Sequence, residues 1–106
     1  MKFKPAKSAN MSSYKGCFTA YYSELVEMFG RPNSGPNADL DKVTCEWILE
    51  FEDGEIATIY DWLNNRTPMG MAEWHIGGYS ELAAQHVLDV VNFNRNKLVK
   101  FIRAGQ

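Results

Sequence analysis

VTCEWILEFEDGEIATIYDW, residues 43–62, is the stretch that decides the fold. Val43, Cys45, Trp47, Leu49 and Phe51 alternate with Thr44, Glu46, Ile48 and Glu50. That period of two marks a strand with one face turned to a core. A second strand, EIATIYDW, follows across Asp53-Gly54, a dipeptide suited to a two-residue type I′ turn. Such a turn pairs Phe51 with Ile56, Leu49 with Thr58, Trp47 with Tyr60 and Cys45 with Trp62. A slip of one residue would instead set Glu55, Ala57, Ile59 and Asp61 beside the apolar face. Burying those carboxylates is costly, so the two-residue turn is the expected register.

Working outward, Tyr22, Leu25, Val26 and Phe29 recur at helical spacing, and Gly30 with Pro32 ends that helix. KGCFTA before it reads as a first strand. RPNSGPNADLD, residues 31–41, is rich in helix and strand breakers and is the expected mobile loop. LNNRTPMGMA is a second loop, and AEWHI a short third core strand ending at Gly77-Gly78. Ser80 is placed to cap a helix starting at Glu81, with Leu82, Ala83, His86, Val87, Val90 and, at its far end, Phe93 on the expected inner face. The order β-α-β-β-β-α implies an α+β domain: a small antiparallel sheet packed against two helices. Residues 1–13 show no periodicity and read as a flexible basic tail; residues 14–94 form the domain. Residues 95–106 are a basic C-terminal extension whose helical character is weakened by nearby asparagines.

At 106 residues with 45% apolar and 13% aromatic side chains, the chain can bury a core as one domain. Cys17 and Cys45 are too few and too far apart for a disulfide framework, which predicts free thiols and a reducing, cytoplasmic compartment. No apolar leader follows the first lysines, and no apolar run is long enough to span a bilayer. The net charge of −2 is unevenly spread: all 13 acids lie between Glu24 and Asp89, with only Arg31, Lys42 and Arg66 among them. An acidic body with basic ends argues against direct nucleic-acid binding. It suits a basic protein partner instead.

The segments ELVEMFGRP, KVTCEWILEFEDGEIATIYDW and EWHIGG carry a resemblance. They resemble a group of small uncharacterised tailed-phage proteins with an FG-x-P helix end, a W-x-L-x-F-x-D-G hairpin, an A-T-I-Y segment and a W-H-I-G-G turn. The likeness spans roughly residues 16–90. It implies a cytoplasmic accessory or anti-defence protein of an infected bacterial host, which binds a host factor or a nucleotide signal rather than catalysing a reaction.

The candidate chemistry gathers around EWHIGGYS, residues 73–80. His75 has no G-x-S-x-G nucleophile elbow and no suitably placed serine, so a general-base role is only a third reading. Two histidines and two cysteines show no metal-ligand spacing, and no metal or cofactor is expected. His86 sits on the apolar side of its helix, where a hydrogen-bonded structural histidine is the usual case. Trp74 and His75 point to opposite faces of one strand. Gly77 and Gly78, just before a helix, could offer backbone N–H groups to a phosphate. The leading expectation is a pocket of Tyr60, Trp62, Trp74, His75, Gly77 and Gly78 that sequesters a small nucleotide-like ligand. One small sheet rarely encloses such a ligand alone, which favours a homo-oligomer. The alternative is a protein–protein inhibitor that uses an acidic sheet face of Glu46, Glu50 and Asp61.

Overall fold

The computed structural model describes the backbone of residues 1–104 and the side chains of residues 1–97. Five strands and two helices follow in the order β1 (Phe3–Pro5), β2 (Ser13–Ala20), α1 (Tyr22–Phe29), β3 (Glu46–Phe51), β4 (Ile56–Tyr60), β5 (Ala72–Gly78) and α2 (Glu81–Ala104). The strands form one antiparallel sheet in the order β1-β3-β4-β5-β2. Both helices lie on one face, and the core between them and the sheet includes Leu25, Phe29, Trp47, Phe51, Ile59 and Trp74. The α+β class expected from the alternation of residues 43–62 is the class observed.

The hairpin register is not the expected one. Trp47 stands opposite Ile59, Ile48 opposite Thr58 and Leu49 opposite Ala57. The turn holds three residues: Phe51 N–H donates to Glu55 O at 2.9 Å, and Gly54 N–H to Phe51 O at 2.8 Å. Gly54 has φ 88°, a left-handed geometry that glycine adopts without a Cβ clash. The Asp53 side chain accepts from Glu55 N–H at 3.0 Å and so helps to hold this longer turn. The slip does place Glu55 and Asp61 on the helix-facing side. Both carboxylates are hydrogen-bonded there, which offsets the desolvation that made the register look expensive. Glu55 accepts from the Ser80 hydroxyl. Asp61 is fully buried and accepts from Thr44 N–H (2.8 Å), Thr44 Oγ1–H (2.6 Å), Cys45 N–H (3.0 Å) and Asn64 Nδ2–H (3.3 Å).

The first residues are not a free tail. Phe3, Lys4 and Pro5 pair with Phe51, Glu50 and Leu49, and the Phe3 ring packs against Phe29 and Phe51. Three residues are too short for a periodic signal, but one buried ring fixes the edge strand. Residues 6–12 then cross from one sheet edge to the other over the face opposite the helices. Ala6 N–H donates to Ile48 O at 2.9 Å, and Tyr79 O–H donates to Asn10 O at 2.6 Å. The loop expected to be mobile is likewise tied down. Asn33 Nδ2 donates to Ala6 O (2.7 Å) and its Oδ1 accepts from Ile48 N–H (2.8 Å), while Asn37 and Thr67 exchange two bonds of 2.8 Å.

Helix α1 begins where Glu24 accepts from Tyr21 N–H at 3.0 Å, and it ends at Gly30, φ 83°. Ser80 caps α2 as expected: its Oγ accepts from Leu82 N–H at 3.3 Å and its carbonyl from Ala83 N–H at 3.1 Å. The C-terminal extension expected from residue 95 is continuous with α2 as far as Ala104. His86, 9% exposed, is a satisfied structural histidine, 2.6 Å from Asp53 Oδ2. That contact joins the hairpin turn to α2. The Glu55 amide and the His86 imidazole together hold the Asp53 carboxyl below its ordinary range.

Gly78 has a packing role. It pairs with Ala57 on one side and Ser13 on the other, and a Cβ there would collide with the Ala83 side chain of α2. Gly78→Val is therefore expected to push α2 off the sheet and destabilise the fold by roughly 2 kcal/mol or more. A urea unfolding curve is the check, and a midpoint unchanged from wild type would contradict the contact.

Candidate functional site

The register that buries Ala57, Ile59 and Asp61 turns Ile56, Thr58, Tyr60 and Trp62 to the opposite, outer face. There one row of cross-strand partners runs over four strands: Glu46 on β3, Tyr60 on β4, His75 on β5 and Cys17 on β2. Tyr14, Tyr60, Trp62 and His75 converge on this row and line an open cleft of about 350 Å³. His75 is its hub. Its ring lies 4.9 Å from Tyr14 and 5.5 Å from Tyr60, edge-on to both, and 6.1 Å from Trp62 at an interplanar angle of 19°. Trp62 also meets Tyr60 edge-on at 6.3 Å. Trp62 is 43% and Tyr14 54% exposed, an unusual amount of aromatic surface to leave in water on a chain this small.

Charged groups rim the cleft. Lys42 Nζ lies 5.9 Å from the Trp62 ring centroid, within cation–π range. The Lys42 carbonyl accepts from Leu63 N–H at 2.9 Å, which ties the two loops that carry Lys42 and Trp62. Glu73 Oε1 stands 3.4 Å from His75 Nε2. Burial pushes the Tyr60 hydroxyl up, and the nearby Glu46 charge adds to the effect.

Beside the cleft, the crossing segment 6–12 roofs a polar cavity of about 220 Å³, lined by Lys7, Ser8, Asn10, Ser12, Glu46 and Thr58 among others. Glu46 lines this cavity and stands opposite Tyr60 of the cleft. Its carboxyl is half-buried, and burial alone raises its proton affinity.

Of the residues expected to form a ligand pocket, Tyr60, Trp62 and His75 come together. Gly77 lies beneath them: a Cβ at this position would sit 2.5 Å from Thr58 Oγ1 and 3.4 Å from the Tyr60 ring. Trp74 does not join. It is fully buried on the helix side, 5.7 Å from Trp47, with Nε1–H donating to Ala20 O at 3.1 Å. Gly78 is also absent, since it faces α2. Nor do the two glycines form an anion-binding turn. Both pair with β4 on one side and β2 on the other, inside the sheet. The expected acidic face loses Asp61. Asp61 is buried rather than presented, Glu50 stands opposite Lys4 on β1, and Glu46 stands opposite Tyr60.

Tyr14 was missed by the sequence reading. A bulge between Tyr14 and Gly16 breaks the alternation of β2, so Tyr14 and Cys17 share the outer face although three residues apart. The one legible signal was the misplaced phase of SYKGCFTA itself.

The cysteines are both free, Cys17 exposed and Cys45 buried. Burial, with Asp61 and Glu46 adding, pushes the Cys45 thiol up to about 12, which leaves it a protonated core side chain rather than a nucleophile. Among the described residues, no cluster of three or more His, Cys, Asp or Glu side chains could hold a metal ion. No helix among them is long and apolar enough to cross a membrane. No family model, curated protein or solved structure matches this chain.

Proposed function

We propose that this protein is a non-catalytic binding protein whose outer-face cleft holds a planar, nucleotide-like ligand. The observation that carries the reading is the exposed Trp62 ring standing near-parallel to His75, with two tyrosines edge-on around them. Aromatic faces of this kind stack on any nucleobase, at about 1–3 kcal/mol per base. Lys42 at the Trp62 rim supplies a cation for a phosphate. The likeness to tailed-phage proteins gives the activity a setting: sequestration of a nucleotide messenger of host defence. The cleft is open on its solvent side, where a second copy of the chain would complete the enclosure.

Trp62→Ala is expected to leave the fold within about 1 kcal/mol of wild type while weakening nucleotide binding by roughly tenfold to a hundredfold. Isothermal titration with mononucleotides, beside melting curves of both proteins, measures the two effects separately. Equal affinity in wild type and variant would remove the cleft from the site. The alternative, inhibition of a basic host protein through Glu46 and Glu50, predicts binding that fades steeply with salt and is indifferent to Trp62→Ala.

A further inference from the structure

The aromatic walls explain how a ring is held but give no preference among rings. Glu46 does. It is the next residue beyond Tyr60 on the row Glu46–Tyr60–His75, two strand spacings or roughly 10 Å from His75. A bicyclic ring seated over Tyr60 therefore presents its far edge to β3. There Glu46 is half-buried, with no hydrogen bond or ion pair to its carboxylate among the described residues. Its oxygens reach solvent and take no donor from the protein among the described residues. Its proton is held more tightly in the folded than in the unfolded chain. The stability it contributes is thus complete below the ordinary glutamate range and is lost as pH rises through its raised folded value. A ligand with N–H donors would supply the partners that the fold does not.

Resting on the stacking reading, we propose that Glu46 is the specificity-determining residue of the cleft and selects rings that present two adjacent N–H donors, of which guanine is the common nucleotide case. The two oxygens of a carboxylate match the parallel N1–H and N2–H donors of that edge. Charge-assisted pairs of this kind are among the strongest hydrogen bonds a protein makes. Uracil and hypoxanthine offer a single N–H on the corresponding edge, and adenine offers its amino group beside an acceptor, so each leaves one oxygen unpaired or opposed. The polar cavity under residues 6–12, with Lys7, Ser8 and Asn10 on its wall, adjoins Glu46 and has room for hydroxyl-bearing parts of the same ligand.

The test compares GMP with IMP, which differs only by the missing N2 amino group, in wild type, Glu46→Gln and Trp62→Ala. Wild type is expected to bind GMP at least roughly tenfold more tightly than IMP. Glu46→Gln should abolish most of that advantage through weaker GMP binding, with IMP affinity little changed. Its melting temperature at pH 7 should equal or exceed that of wild type, which shows the variant is folded. Glu46→Ala should give the same ranking. If both nucleotides bind and Trp62→Ala weakens both, but the GMP advantage is absent or survives in Glu46→Gln, the role of Glu46 is overturned while the stacking site stands. If wild type binds neither nucleotide, both proposals fall.

Discussion

Replacing Trp47 with alanine is expected to destabilise the fold by about 3–5 kcal/mol, the range for emptying a large aromatic site in a core. Trp47 is 1% exposed and lies at the meeting point of the sheet and α1. Its ring packs edge-on against Trp74 at 5.7 Å and against Tyr22 of α1 at 5.9 Å. Its Nε1–H donates to Gly30 O at 2.8 Å, the carbonyl at the end of α1. The substitution thus opens a cavity and releases the cap of a helix in one step. Equilibrium unfolding in urea measures the loss. A change below about 1 kcal/mol would mean that the ring is not in the core at all. Trp47→Phe separates the contributions, because it keeps most of the volume and loses the hydrogen bond, worth about 1 kcal/mol.

Asp61→Ala is expected to cost about 2–5 kcal/mol, although it removes a buried negative charge. The carboxylate satisfies the backbone N–H groups of Thr44 and Cys45 and the Thr44 hydroxyl. Its loss leaves those buried donors without partners, at roughly 1–3 kcal/mol for each group that water cannot reach. Asp61→Asn keeps one acceptor oxygen and should fall between alanine and wild type. The same bonds hold the chain one residue before Trp62, so the loosened variants should also bind nucleotide more weakly than Trp62's own exposure would suggest. Urea midpoints and titration calorimetry on both variants provide the check. An Asp61→Ala protein as stable as wild type would show that the network contributes nothing.

Asp61 also explains where sequence reasoning stopped. From composition alone, a strand register that places two carboxylates on the core side loses to one that places Ile56, Tyr60 and Trp62 there. The argument is sound for unpaired charges. It fails here because Thr44, just before β3, supplies a hydroxyl and an amide to Asp61, and Ser80, just past the neighbouring strand β5, supplies a hydroxyl to Glu55. Neither pairing leaves a trace in the local pattern of residues 43–62. The consequence reaches the site, because the slip that buries Asp61 is what turns Tyr60 and Trp62 outward to meet His75.

Other parts of the molecule were legible because their signals are local. The helix over residues 22–29, its end at Gly30, the cap at Ser80 and the opposed directions of Trp74 and His75 all follow from spacings within one element. Each depends on backbone geometry that repeats every two or 3.6 residues. Sequence alone therefore determined the class, both helices, four of the five strands, and the apolar faces of β3 and β5. Tertiary structure decided the hairpin register, the capture of Phe3 as an edge strand, the bulge that brings Tyr14 to the outer face, and the position of Glu46 beside the cleft. Those outcomes turn on hydrogen bonds and ring contacts between residues far apart in the chain, whose favourable energy exists only once both partners are in place.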